Sequence, residues 1–150
     1  MRKFLIVVFM LGLSGCQQPE FYSVQGGEHR FDDFKGRYLV VNYWATWCAP
    51  CIREIPELNA FADEFHDQVA VWGVNFDAPE GAEQLRQVQK MQITFPVFAL
   101  NPSAQLGVVM PEVLPTTLVF DPQGALLATL VGPQTRESLL AIVALEQPSN

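Results

Sequence analysis

Histidine and cysteine are scarce in this chain. Of its 150 residues, two are histidine and three are cysteine. His29 and His66 stand 37 positions apart, and Cys16 lies far from Cys48 and Cys51. A structural zinc ribbon needs a second pair of cysteines or histidines at ligand spacing. The sequence has no such pair, so we expect no resident metal ion and no other cofactor.

Long apolar runs are also missing. The run near the N-terminus, Phe4–Leu13, has ten residues, whereas a transmembrane helix needs about 20. Arg2 and Lys3 precede this run, and small residues follow it. A basic segment, a short apolar segment and small residues in this order are typical of an export signal. We therefore predict that residues 1–15 are a signal peptide.

The first cysteine follows Leu13-Ser14-Gly15, which resembles the lipobox of bacterial lipoproteins. The resemblance implies that Cys16 is lipidated and anchors the mature chain through several acyl chains. The alternative is ordinary cleavage nearby, which leaves Cys16 as a plain thiol. Gln17 follows the cysteine, which resembles the default for outer-membrane sorting in Gram-negative lipoproteins. We expect residues 16–27 to be the acylated N-terminus and tether, and residues 28–150 the folded domain.

Basic residues are few. Nine Lys and Arg face sixteen Asp and Glu, for a net charge of −7. Loss of the signal peptide with Arg2 and Lys3 leaves seven against sixteen, a net charge of −9. Such an acidic protein argues against nucleic acid or an anionic lipid surface as a partner. The 49% apolar content suits one compact domain with an adequate core.

What the chain does have is a buried-strand pattern that ends in two cysteines. The apolar run Leu39–Tyr43 predicts a strand, and Trp47–Cys51 (Trp-Cys-Ala-Pro-Cys) follows shortly after it. Over residues 52–65 apolar positions recur at spacings of three and four, which predicts an amphipathic helix. This junction places Cys48 at the mouth of the helix and Cys51 one turn inside.

A thiol at that position is chemically useful. Unpaired N–H groups and the helix dipole concentrate positive charge on the first turn. Cys-X-X-Cys thiols there titrate at about 3.5 to 7.5 rather than about 8.5. We predict that Cys48, the more exposed of the two, attacks a disulfide, and that Cys51 resolves the mixed disulfide. Pro50 suits the helix start because it has no N–H to leave unpaired.

Two other uses of the pair stay open. A Cys48–Cys51 bridge closes a loop of four residues, which stabilises a fold by only roughly 2 kcal/mol. It is therefore a poor structural staple. The two cysteines are also soft ligands of the kind a copper chaperone uses, although no His or Met stands near them at ligand spacing.

The wording of the motif resembles a known family. Asn42–Cys51 (NYWATWCAPC) resembles the thioredoxin superfamily and, within it, the TlpA/ResA-like thiol–disulfide oxidoreductases of the bacterial envelope. Pro56 resembles the helix-kinking proline of thioredoxins, and Leu114–Thr117 resembles their cis-proline loop. The resemblance implies that Pro115 holds this loop opposite the cysteines. It also implies that the backbone of Leu114 pairs with a bound peptide.

The predicted fold is α/β and thioredoxin-like, with a mixed central sheet and helices on both faces. The site is expected at the carboxyl end of a central strand, where Trp47 falls. Before the cysteine motif we predict an N-terminal edge hairpin that turns at Gly26-Gly27 and a loop at Phe31–Gly36. After the motif helix we predict a strand at Gln68–Phe76 and then an insertion formed by a helix at Glu80–Met91 and the segment Ile93–Leu100, in which Phe95–Val97 enters a strand. The chain is predicted to end with a hairpin of Thr116–Asp121 and Ala125–Val131 and a closing helix at Thr135–Glu146.

The chain departs from the family at two places. Thioredoxins carry a buried Asp where this chain has Asn42, and an amide cannot take a proton from Cys51. Asp77, which follows the second central strand, is the nearest candidate for that base in the sequence, with Glu80 next. Val113 stands where glycine is usual before the cis-proline, in the loop that faces the substrate.

These observations predict an enzyme. We expect a thiol–disulfide oxidoreductase that reduces or exchanges disulfides of envelope proteins and receives electrons from a membrane thiol donor. The absence of positive charge between the cysteines favours a reductant. The protein is expected to face the periplasm on a lipid anchor, at the outer membrane rather than the inner. The alternative is the copper or metal chaperone, which would use the same two cysteines.

Overall fold

The computed structural model describes residues 18–143. The predicted signal peptide, Cys16 and Gln17, and residues 144–150 lie outside this part of the chain. The elements in chain order are β1 (Phe21–Tyr22), β2 (Glu28–His29), a 3-10 helix (Phe31–Phe34), β3 (Tyr38–Trp44), α1 (Ala49–Glu64), β4 (Val69–Asn75), α2 (Gly81–Lys90), β5 (Thr116–Phe120), β6 (Leu126–Val131) and α3 (Arg136–Val143).

The central sheet is mixed, with strand order β4-β3-β5-β6. β3 pairs with β4 in parallel and with β5 antiparallel, and β5 and β6 form an antiparallel hairpin. All of β4 and all of β3 except Tyr38 are buried, because the central strands are covered on both faces. The mixed sheet and its helices confirm the predicted α/β thioredoxin-like fold.

The two faces of the sheet are covered differently. Val40 and Trp44 of β3 share an apolar cluster with the buried residues of α1 and α3, and with Val88 of α2. The alternate residues of β3 share a second cluster with the N-terminal hairpin, the 3-10 helix and the loop before β5. In the described part of the chain, helical cover of this second face is a single 3-10 turn. Helical residues of the described chain thus pack on both faces, from α-helices on the first and from the 3-10 helix on the second.

The N-terminal hairpin belongs to the folded domain. β1 and β2 pair antiparallel, with Phe21 opposite His29, and Phe21 is buried in the second cluster. Gln25 fastens the turn to the segment before β5, because its side chain donates to the Phe95 carbonyl at 2.9 Å and accepts from the Val97 N–H at 3.0 Å. The predicted boundary between residues 27 and 28 falls within this hairpin.

The insertion after β4 is attached along the outer edge of that strand. The Gly73 N–H donates to the Pro96 carbonyl at 2.8 Å, and the Phe98 N–H donates to the Gly73 carbonyl at 2.9 Å. Phe95–Val97 was predicted to enter a strand, but Val97 makes one isolated parallel bridge with Gly73. The bridge is short because Pro96 has no N–H to extend a ladder.

Two smaller expectations also change. Phe31–Gly36 was predicted as a loop, and its first four residues form the 3-10 helix. The closing helix was predicted to begin at Thr135, and α3 begins at Arg136. Between residues 18 and 143 no helix is both long enough and apolar enough to cross a membrane.

Candidate active site

Helix α1 begins at the first cysteine of the motif. Cys48 is the N-cap residue with an extended backbone (φ −85°, ψ 97°), and its Sγ accepts the Cys51 N–H at 3.3 Å. Pro50 lies in the first turn, where a missing N–H costs nothing. A sulfur in this position receives a donated N–H and faces the positive end of the helix, both of which stabilise a thiolate.

The two sulfurs are joined. Cys48 and Cys51 form a disulfide with an S–S distance of 2.08 Å and a Cα–Cα distance of 5.3 Å. Cys48 is 4% exposed and Cys51 is fully buried. Cys48 is therefore the more accessible of the two bonded sulfurs.

Strand register brings the proline loop to the same edge of the sheet. Thr116 at the start of β5 pairs with Tyr43 near the end of β3. The residues just before β5 therefore lie beside the segment that carries the cysteines. The Leu114–Pro115 peptide bond is cis, Leu114 packs against the cluster that holds both cysteines, and the Pro115 carbonyl accepts the Gly132 N–H at 2.9 Å.

Trp47 is held at the surface beside the disulfide. Its indole N–H donates to the Asp77 carboxylate at 2.9 Å, and its ring meets Phe76 edge-on with centroids 6.4 Å apart. The side chain is nevertheless 64% exposed. Asp77, predicted from the sequence as the candidate base, is thus an exposed carboxylate engaged by Trp47, and Glu80 is exposed as well.

A different carboxylate lies behind the second cysteine. Glu54 follows Cys51 by one helical turn and is 2% exposed, the one buried acid among residues 18–143. One oxygen accepts the Asn42 side-chain N–H and the other accepts the Gln134 backbone N–H, both at 2.8 Å. Burial raises the pKa of Glu54, and the hydrogen bonds from Gln134 and Asn42 lower it by less. The arrangement keeps a proton-accepting group on the Cys51 side of the site.

Sequence reasoning missed Glu54, although a signal was present. Positions three and four residues apart on the apolar stripe of α1 are buried, and Glu54 falls on that stripe beside Ile55 and Leu58. A charged residue on the core-facing stripe of a helix is rarely buried without a partner. The sequence instead favours Asp77 and Glu80 as the base, because both follow β4, a strand that leads toward the site.

Within the described residues no group of three or more His, Cys, Asp or Glu is placed to hold a metal ion. The site combines two sulfurs, a helix N-terminus and a buried carboxyl group.

Comparison with known proteins gives the family. The model of the AhpC/TSA family matches residues 15–129, which is most of the chain. The chain belongs to the AhpC/TSA family. It is 32% identical over 131 residues to the thioredoxin-like protein YneN of Bacillus subtilis strain 168, covering 83% of this chain and 75% of that protein.

A second relative and a solved structure are also similar to this AhpC/TSA chain. It is 30% identical over 128 residues to the thiol–disulfide oxidoreductase ResA of Geobacillus kaustophilus strain HTA426, covering 83% of this chain and 73% of ResA. The solved structure of a DsbF homologue from Corynebacterium diphtheriae superposes with a TM-score of 0.68 at 25% identity, covering 91% of this chain and 98% of that one. With its bonded cysteine pair, the chain is a thiol–disulfide oxidoreductase of thioredoxin-like fold.

Proposed function

We propose that this enzyme works in the reducing direction, opening or exchanging disulfides of proteins in the bacterial envelope. The observation that carries the proposal is the helix-capping disulfide, of which Cys48 is the accessible half and Cys51 the buried half. Ala49 and Pro50 between them add no positive charge. Extra positive charge there would stabilise the reduced form and make the pair a stronger oxidant.

The reaction needs two exchange steps. In the first, the Cys48 thiolate attacks a substrate disulfide, forms a mixed disulfide and releases one substrate thiolate, which takes up a proton. In the second, the Cys51 thiol gives its proton to the Glu54 carboxylate. The Cys51 thiolate then attacks the Cys48 sulfur, closes the Cys48–Cys51 bond and releases the second substrate thiolate. Two electrons pass from the enzyme to the substrate.

The surface beside the sulfurs suits a polypeptide substrate. Trp47 is 64% exposed, Ile52 50% and Val113 56%, and all three lie next to the cysteine motif or the cis-proline loop in the chain. Exposed apolar side chains around a reactive bond provide a contact surface for a partially unfolded or extended chain. The backbone of Leu114 is the proposed pairing partner for that chain.

Each turnover leaves the enzyme oxidised, so it requires a donor of thiol electrons. We propose a membrane protein with a dithiol facing the same compartment. An acylated Cys16 would keep the enzyme at the membrane, facing the periplasm, and Gln17 favours the outer membrane. This part of the proposal is supported by the sequence of residues 1–17 alone.

The direction is tested by measuring the reduction potential of the purified protein in glutathione buffers. We expect a value well below that of a strong oxidant such as DsbA, at about −120 mV, and a value near −120 mV would contradict the reducing role. Insulin reduction by the wild type should be abolished by Cys48→Ser. Trapping mixed disulfides in the native envelope with Cys51→Ala should capture the substrates.

The anchor is tested separately. Cys16→Ser should move the protein from the membrane fraction to the soluble periplasmic fraction and remove incorporation of labelled fatty acid. An unchanged distribution would show that Cys16 is not acylated, and it would leave the redox chemistry untouched.

A further inference from the structure

Asn42 lies on β3 under the carboxyl group of Glu54 and is fully buried. Its side-chain nitrogen donates to the Glu54 Oε1 at 2.8 Å and to the Thr117 hydroxyl at 3.0 Å. Thr117 is the residue paired with Asn42 on β5. Both amide N–H groups are thus used, and they link α1 to two neighbouring strands.

The oxygen of the same amide is unused. Asn42 Oδ1 is buried and has no hydrogen-bond partner among the described residues. A buried polar atom without a partner is uncommon in a folded protein and calls for a physical explanation. Here the unused atom is an acceptor, and it belongs to the group that already contacts Glu54.

The charge state of Glu54 changes what the carboxyl group requires. As a carboxylate it accepts hydrogen bonds only, and as a carboxylic acid it also carries an O–H that must be donated. The Asn42 amide matches both states, because a half-turn about its last side-chain bond exchanges its nitrogen and oxygen. The Thr117 hydroxyl also matches both, since it can accept from the nitrogen or donate to the oxygen.

We propose that Asn42 is a positioning residue for Glu54, donating to the carboxylate and, after a half-turn of its amide, accepting the O–H of the carboxylic acid. The inference rests on the proposed role of Glu54 as proton acceptor. The proton that leaves Cys51 Sγ bonds to Glu54 Oε1 and is then shared with Asn42 Oδ1. Asn42 itself gains and loses no proton.

The groups that hydrogen-bond to the Glu54 carboxyl group are all uncharged. β3 and β5 contribute Asn42 and Thr117, and the segment before α3 contributes the Gln134 N–H. On α1 the titratable residues adjacent to Glu54 or one turn away are Cys51, Glu57 and the exposed Arg53. The Glu57 carboxylate accepts the Arg136 backbone N–H at 3.2 Å, and the Arg136 guanidinium pairs with Glu64 at 2.6 Å. The causes that shift the pKa of Glu54 include no charged group.

The experiment follows the two steps separately with the chromogenic aromatic disulfide dithionitrobenzoate. The full chain carries Cys16→Ser, so that Cys48 and Cys51 are the two remaining thiols of the three. Attack by Cys48 releases the first coloured thiolate, and resolution by Cys51 releases the second. The rate of the second release is measured across the pH range.

The variants are Asn42→Leu, which keeps the branched shape without hydrogen bonds, and Thr117→Val. We expect Asn42→Leu to raise the pH midpoint of the second release by about one unit. The variant loses the hydrogen bond to each form of Glu54, and the bond to the charged form is the stronger of the two. Thr117→Val should shift it in the same direction by less. Thr129→Val is the control, since Thr129 is an exposed residue of β6 that pairs with Leu118, and it should leave the midpoint unchanged.

A Glu54→Gln background separates this inference from the proposed role of Glu54. We expect Glu54→Gln to remove the midpoint, and Asn42→Leu to cause no further shift in that background. If Asn42→Leu slows the second release equally at every pH, Asn42 is merely structural and the positioning role is overturned. If Glu54→Gln keeps the wild-type profile, the proton acceptor is wrong and both ideas fall.

The half-turn has its own readout, which does not depend on the rate. The side-chain amide signals of Asn42, observed by nuclear magnetic resonance in the oxidised protein, should shift with pH at the midpoint measured for the Glu54 carboxyl carbon. The dependence should disappear in Glu54→Gln. Amide signals that stay constant through the Glu54 titration would overturn the half-turn.

Discussion

At the scale of single residues, the site depends on one buried acid whose charge is unfavourable to the fold. Burial raises the pKa of Glu54, so the folded protein holds this proton more tightly than the unfolded chain. Its contribution to the free energy of unfolding is unaffected below the unfolded pKa of about 4.3. As the pH rises toward the folded pKa, the unfolded state gains more by ionising and the fold loses stability.

The first prediction concerns this pH dependence. Glu54→Gln should make the oxidised protein less sensitive to pH from about pH 4 upward, because the ionisation that favours unfolding is absent. Denaturant unfolding of both proteins at a series of pH values gives the comparison. The two curves of stability against pH should diverge as pH rises, and parallel curves would show that the Glu54 pKa is the same in both states.

A second prediction distinguishes the role of Asp77, which holds Trp47, from that of Glu54, the proposed proton acceptor. Asp77→Asn removes the charged acceptor of the Trp47 indole N–H, so Trp47 is less well held and contact with a protein substrate weakens. We expect insulin reduction to fall several-fold through KM, while the reaction with dithionitrobenzoate is unchanged. Glu80→Gln is the control. A slower second release in Asp77→Asn would instead support Asp77 as the base.

These residues show what a sequence can and cannot give for a site. The spacing of Cys48 and Cys51 predicts the redox pair because the motif is local to one helix start, and the resemblance to thioredoxins implies the proline loop. The partners of Glu54 come from β3 and from residue 134. Such contacts depend on the position and orientation of α1 on the sheet, which cannot be predicted from a local sequence pattern.

At the scale of elements, the strands and helices of the centre follow their patterns closely. The predicted strand Leu39–Tyr43 is part of β3, and the predicted helix Glu80–Met91 contains α2. The pieces that depart from expectation are short, and tertiary contacts decide their structure. Ser23 and Val97 each make isolated bridges, which depend on where the insertion lies and leave little periodicity to detect.

The third prediction tests the contribution of the N-terminal hairpin. Phe21 is 9% exposed and packs with Phe98 and Trp72, whereas its neighbour Tyr22 is 53% exposed. Phe21→Ala should lower the free energy of unfolding by about 3 to 5 kcal/mol, and Tyr22→Ala by less than about 1 kcal/mol. Equal losses would mean that the hairpin is not packed on the sheet in solution.

At the scale of the whole molecule, stability does not depend chiefly on the redox bond. The Cys48–Cys51 bridge spans three positions in sequence, whereas two apolar clusters each include residues of β3, β4 and β5. The fold is therefore expected to persist through the catalytic cycle, because a thiol–disulfide oxidoreductase must remain folded in both redox states.

The fourth prediction follows from the small loop. Reduction of the disulfide should lower the free energy of unfolding by no more than roughly 2 kcal/mol. Denaturant unfolding with and without a phosphine reductant measures the difference, and Cys48→Ser with Cys51→Ala serves as the control that cannot reoxidise. A loss several times larger would identify the bridge as a structural staple.

Gly73 limits which sequences this architecture can accept. A Cβ built there would lie 2.9 Å from the Trp44 indole nitrogen and 3.1 Å from side-chain atoms of both Phe95 and Val97. Because Gly73 has no side chain, these three side chains can converge on one point of β4. Trp44, on the neighbouring strand β3, lies four residues before Cys48. Alanine at position 73 would require the fully buried Trp44 to shift, so the segment that leads into the cysteine motif depends on the absence of a side chain on the adjacent strand.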